Sequence, residues 1–101
     1  MKEISLCPRL SKALDLIGKR WTALIIYQLL EGPQRFNAIE AALPISGRLL
    51  SERLKELEKE GIVGRKVYSE IPIRVEYSLT EKGRSLEATV REIETWSKNW
   101  L

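Results

Sequence analysis

The residues best equipped for chemistry in this chain do not make an active site. No histidine occurs among its 101 residues and cysteine occurs once, so neither a Ser-His-Asp nor a Cys-His pair can be assembled. Zinc held by histidines or clustered cysteines is excluded on the same ground. No glycine-rich phosphate loop is present, and neither enzymatic activity nor a cofactor is expected. Carboxylates at four-residue spacing, such as Glu52 and Glu56, lie in a charge-balanced segment that suits a solvated helix face. What remains is a set of polar side chains, Arg48, Ser51, Glu52 and Lys55, whose spacing puts them on one side of a helix. Arginine offers two parallel donors to guanine, glutamate accepts from the amino group of cytosine, and serine adapts to either. Such a set fits the reading of base edges in double-stranded DNA. The same residues also fit a solvated face held by pairs such as Glu52–Lys55 and Glu56–Lys59, so the surrounding elements must decide.

A helix from Ser46 to about Glu60 carries them. Leu50, Leu54 and Leu57 recur at i, i+4 and i+7 and should pack inward. Ser46 stands where an N-cap belongs, and Gly61 is a good terminator. Before it, Phe36, Ile39 and Leu43 predict a helix of about two turns, ended by Leu43-Pro44-Ile45 because proline disfavours helical geometry in the preceding residue. Short helix, tight turn and longer helix satisfy the helix-turn-helix pattern over about 36–60. Further upstream, Leu10, Ala13, Leu14 and Ile17 predict an amphipathic helix from about Pro8, interrupted at Gly18. Trp21, Leu24, Ile25 and Leu29 mark a more buried helix that stops at Gly32-Pro33. Downstream the period changes. Val63, Arg65 and Val67 alternate with Gly64, Lys66 and Tyr68; beyond a loop bearing Pro72, Val75, Tyr77 and Leu79 alternate with Arg74, Glu76 and Ser78. This predicts a β-hairpin over about 63–79, placed as a wing. Thr80 can cap a last helix over about 81–100, with a stripe of Leu86, Val90, Ile93, Ser97 and Trp100 and with Trp96 beside it. The expected fold is mainly α with a small β-hairpin, a single winged helix-turn-helix domain spanning 1–101.

The net charge of +3 is by itself weak support for a polyanionic partner. Its distribution says more: residues 1–50 hold seven Lys/Arg against four Asp/Glu, and residues 51–101 hold ten of each. In a helix-turn-helix the N-terminal half of the second helix enters the major groove, which makes Arg48, Ser51, Glu52 and Lys55 the base readers. Phosphate contacts are expected from Ser46 with the free amides of that helix N-terminus, from Arg35, and from Lys66, Arg65 and Arg74 on the wing. Arg74 has an alternative, a pair with Glu70 or Glu76. The longest strongly apolar segment, Ala23 to Leu30, is too short to cross a bilayer. No export signal is visible, and a lone cysteine fits a reducing cytosol. A cytoplasmic, nucleoid-associated protein without a membrane partner is expected. A winged-helix module that binds protein rather than DNA is the competing reading, favoured by Glu52 and Glu56.

Four segments, in order, resemble the HxlR-type winged helix-turn-helix regulators, relatives of the larger MarR group. They are Ile17-Gly18-Lys19-Arg20-Trp21-Thr22, Gly32-Pro33-Gln34-Arg35-Phe36-Asn37, the run from Ser46 to Glu58, and Pro72-Ile73-Arg74-Val75-Glu76-Tyr77-Ser78-Leu79-Thr80 followed by Gly83. The resemblance spans Cys7 to Trp96. It implies a transcriptional regulator, a repressor, acting as a homodimer on operator DNA through N- and C-terminal dimerisation helices. Leu10, Leu14, Leu86, Val90, Ile93, Trp96 and Trp100 are the expected interface. Two tryptophans in the last six residues are hard to bury in one protomer, unless the chain's own first helix covers them. Cys7-Pro8 resembles the family's N-terminal Cys-Pro, one residue further from Trp21 than usual. In several members this cysteine senses oxidants or electrophiles, which implies an oxidant or small-molecule effector, with Lys2, Arg9 and a helix N-terminus favouring the thiolate. The alternative is a small buried hydrophobe. Leu43-Pro44-Ile45-Ser46 lacks the glycine that members usually carry after the proline, so a different angle between the two helices is expected.

Overall fold

The computed structural model describes residues 7–101. Its elements run α1 (Pro8–Ile17), α2 (Thr22–Leu29), α3 (Phe36–Ala42), α4 (Gly47–Lys59), β1 (Val63–Tyr68), β2 (Arg74–Leu79), α5 (Glu81–Arg84) and α6 (Glu87–Trp100). This is the expected architecture, mainly helical with one antiparallel hairpin. One core joins them: Ile25, Ile26 and Leu29 of α2, Ile39 of α3, Ile45 of the turn, Leu50, Leu54 and Leu57 of α4, and Ile62 and Val63 leading into β1. Burying each such side chain stabilises the fold by about 1.5–3 kcal/mol. The three leucines of α4 therefore fix which face of that helix is left for solvent.

Three local features depart from the sequence reading. In α2 the buried residues are Thr22, Ile25, Ile26 and Leu29, whereas Leu24 is 49% exposed. At 100° per residue Leu24 and Tyr27 fall opposite the buried arc. Trp21 lies outside the helix, as its N-cap, at φ 81°. Holding a non-glycine residue there costs about 1–3 kcal/mol, offset by packing of the half-buried ring against the core and by the Arg20 guanidinium 5.1 Å from its centroid. The helix expected over 81–100 is two helices. Thr80 Oγ1 accepts from Gly83 N–H at 3.1 Å and donates to the Gly61 carbonyl at 2.5 Å. Lys82 Nζ donates to the Glu60 carbonyl at 2.7 Å. These bonds tie α5 to the α4–β1 turn, while α6 packs on α2. The chain bends at Ser85 and Leu86, where Leu86 N–H reaches the Gly83 carbonyl at 3.1 Å.

The hairpin pairs Val63 with Leu79 through Tyr68 with Arg74. A further bridge joins Gln34 to Tyr77, with N–H to carbonyl distances of 2.9 and 2.8 Å. The side-chain amide of Gln34 also donates to the Gln28 backbone carbonyl at 2.6 Å, so the α2–α3 link and the wing root are one unit. The Cα radius of gyration is 15.5 Å, above the roughly 13 Å usual for a domain of this length. That elongation accords with α1 and α6, neither of which contains a buried residue.

Candidate nucleic-acid interface

Ser46 caps α4: its Oγ accepts from Leu49 N–H at 3.2 Å. The turn Leu43–Ser46 carries the backbone from α3 to α4 with Ile45 buried as its plug. With the leucines facing inward, Arg48, Glu52 and Lys55 are exposed and Ser51 is half-buried at the edge of the face. The structure thus gathers Ser46, Arg48, Ser51, Glu52 and Lys55 on the outer side of one helix. The ion pairs differ from those the spacing suggested. Glu52 meets Arg48 at 3.8 Å, and Glu56 meets Arg53 at 3.1 Å and Lys19 at 3.2 Å. Arg53 also donates from Nε to the Arg20 carbonyl at 3.2 Å. Sequence reasoning missed this residue. It braces α4 against the α1–α2 link, and the cue was the Glu56 placed three residues ahead of it.

Arg35 is the exposed N-cap of α3; its carbonyl accepts from Ala38 and Ile39 at 3.0 and 3.2 Å, leaving its side chain outside. On the wing, Arg65 and Lys66 are exposed, and Lys66 Nζ lies 4.9 Å from the Tyr68 ring centroid. Arg74 meets both of the carboxylates named as its alternative partners. Its guanidinium pairs with Glu70 at 3.2 Å and Glu76 at 3.3 Å and stacks 3.9 Å from the Tyr68 ring centroid. It therefore stiffens the wing tip, and the exposed cations of the hairpin are Arg65 and Lys66.

A second surface lies on α1 and α6. Leu10, Leu14, Ile93, Trp96 and Trp100 are 53–74% exposed, so α1 of the same chain does not cover the tryptophans. Leu86 and Val90 instead pack against the protomer's own core. Leu24, Tyr27 and Leu101 add apolar area that the sequence reading did not include. Tyr27 donates to Glu94 at 2.5 Å, a bond that raises its hydroxyl above the usual tyrosine range. Arg91 pairs with Glu87 at 2.9 Å. Cys7 is exposed as the N-cap of α1, ahead of Pro8, with Arg9 exposed in the first turn; Lys2 lies outside the described residues.

A helix-turn-helix whose second helix presents a charged, capped outer face, followed by a hairpin, is the architecture of a DNA-binding domain. Residues 16–101 match the model of the HxlR-like helix-turn-helix family, and the chain belongs to that family of transcriptional regulators. It is 57% identical over 102 residues to YvaP, an HTH-type transcriptional regulator of Bacillus subtilis (strain 168), covering 100% of this chain and 94% of YvaP. The reduced form of the transcriptional regulator YodB from B. subtilis superposes with a TM-score of 0.84 at 46% identity, covering 95% of each chain. The oxidized form of the redox regulator HypR superposes with a TM-score of 0.87 at 42% identity, covering 92% of this chain and 96% of HypR. The protein is a DNA-binding transcriptional regulator of the winged helix-turn-helix class. No described helix is long and apolar enough to cross a membrane.

Proposed function

We propose that the protein is a homodimeric repressor that binds an operator through two copies of α4. Arg48, Ser51, Glu52 and Lys55 read base edges in the major groove. Ser46 with the α4 amides, Arg35 and Lys66 hold phosphates, while Arg74 sets the shape of the wing. The observation that carries this reading is the outer face of α4, capped at its start and, among the described residues, free of a packing partner. The dimer is supported by the exposed apolar strip on α1 and α6, which is larger than single scattered hydrophobes would make it. Fluorescence anisotropy with duplexes from around the protein's own gene and a random control tests it. Specific binding should exceed random binding by ~10³-fold or more, fall steeply as salt rises, and saturate at two protomers per site. Equal binding to both duplexes would defeat the reading.

A redox response through Cys7 is the second reading. It is favoured by the exposure of this thiol at the start of α1, beside the strip proposed for dimerisation, and by likeness to HypR, called a redox regulator. Oxidation of Cys7 to a disulfide with the second copy, or to an adduct with a small thiol, would reposition α1 and change the spacing of the two recognition helices. Diamide should weaken operator binding by the native chain and leave Cys7→Ser unaffected. Equal responses would remove Cys7 from the account.

A further inference from the structure

We propose that the indole of Trp100 seats in an apolar socket on a second copy of this chain, so that two reciprocal ring-in-socket contacts anchor the dimer. The inference rests on the dimeric reading above and names its energetic centre. The socket is a cavity of about 140 Å³ between α1, α2 and α6, lined by Leu14, Ile17, Ala23, Ile26, Val90 and Ile93. Ile26 is completely buried, whereas Leu14 and Ile93 are 55% and 53% exposed. The cavity is thus closed below and open towards the exposed strip. No charged side chain lines it, and Thr89 contributes the one hydroxyl. Its apolar walls offer water few hydrogen-bond partners, and an enclosed apolar cavity of similar size, near 150 Å³, accepts a six-membered aromatic ring. An indole can enter ring-first with its N–H left towards the mouth, where a partner such as the Thr89 hydroxyl satisfies it.

The ring that fits is on the same chain but out of its own reach. Trp100 is 74% exposed. At 100° per residue it falls roughly 30° from the mean direction of Leu86, Thr89, Val90 and Ile93, against roughly 70° for Trp96. The face that packs on α2 near the start of α6 therefore continues to Trp100. Fourteen residues of α6 span ~21 Å and eight of α2 span ~12 Å, so the end of α6 overhangs its partner. In a two-fold dimer each contact occurs twice. The contact sets the geometry of the pair: Trp100 of one copy reaches Val90 of the other when the two α6 helices run antiparallel and cross near Thr95. Buried tryptophans in central pockets dominate the energetics of such interfaces.

Sedimentation equilibrium of the full chain tests the pairing. Trp100→Ala should weaken the dimer about 30-fold or more, and Trp96→Ala should weaken it less. Filling the socket by Ala23→Leu, or plugging its exposed rim by Thr89→Phe, should weaken it comparably. Combining either with Trp100→Ala should add little, because ring and socket form one interaction. The rim variant keeps the test available if the floor variant does not fold. A Trp100→Ala chain that dimerises like the native one, or effects that simply multiply in the combined variants, overturns the socket while the native dimer stands. A native chain that is monomeric overturns the dimer and the socket together.

Discussion

Replacing Arg48 with alanine tests the proposed recognition face with little effect on stability. The Arg48 side chain is 91% exposed and its one ion pair among the described residues, with Glu52, is long at 3.8 Å. An exposed i,i+4 pair of that kind contributes about 0.3–0.5 kcal/mol, and alanine is at least as good a helix former as arginine. The melting temperature should therefore move by no more than about 4 °C. Binding should respond far more. A bidentate arginine–guanine contact discriminates by about 1–3 kcal/mol, and a two-fold site loses it twice. The expected loss on the operator is about 2–6 kcal/mol, or roughly 30-fold to 10⁴-fold in Kd. Anisotropy titrations on operator and scrambled duplexes at several salt concentrations provide the assay. A base reader should lose affinity on the operator much more than on the scrambled duplex, with the salt slope unchanged; a phosphate contact would lose equally on both and lower the slope by about two, one for each copy. Equal losses would move Arg48 to the backbone, and no loss would remove the start of α4 from the groove.

Other perturbations follow from the same geometry. Leu54 is 1% exposed in the centre of the core, so Leu54→Ala should cost about 2–5 kcal/mol in urea unfolding, a large part of a small domain's stability. An unchanged midpoint would contradict the packing. A Cβ at Gly83 would collide with the Ile62 carbonyl oxygen; Gly83→Ala should destabilise by about 1–3 kcal/mol despite alanine's better helix propensity, and a stabilised variant would show that α5 does not press on the turn. Tyr27 donates to Glu94, which raises its pKa above the ordinary value. The stabilisation from that bond is fully present below the unfolded value of about 10 and is lost as pH rises through the higher folded value. Melting temperatures of native and Tyr27→Phe should therefore converge above pH 10; parallel curves would exclude the bond. Arg74→Ala removes both ion pairs of the wing tip, and limited proteolysis should then cut more rapidly at residues 69–73 than in the native chain.

The parts of this fold written in periodic patterns were legible. Leu50, Leu54 and Leu57 define the inner face of α4, and hence Arg48, Glu52 and Lys55 as its outer face; the alternation in residues 63–68 and 74–79 defines the hairpin. Features made by single contacts were not. The Gln34–Tyr77 bridge is one residue long and leaves no alternation behind. The bend at Ser85–Leu86 follows bonds that tie α5 to the α4–β1 turn, tertiary contacts, while the stripe from Leu86 onward suits one continuous helix equally well. Trp21 at φ 81° contradicts local preference and is held by the core around it. For Arg74 the residue types admitted both a phosphate and a carboxylate partner, and only coordinates choose Glu70, Glu76 and Tyr68. The socket opposite Trp100 joins residues 14 to 93, which no spacing argument connects.

Hydroxyl-radical footprinting of the native protein on operator DNA decides whether two copies of α4 bind it together. A dimer that lays two copies of α4 in successive major grooves should protect two symmetric patches about one helical turn apart, ~34 Å, with further protection where the wings meet the flanking backbone. A single asymmetric patch, or two patches whose separation does not place both recognition helices on one face of the duplex, would contradict it.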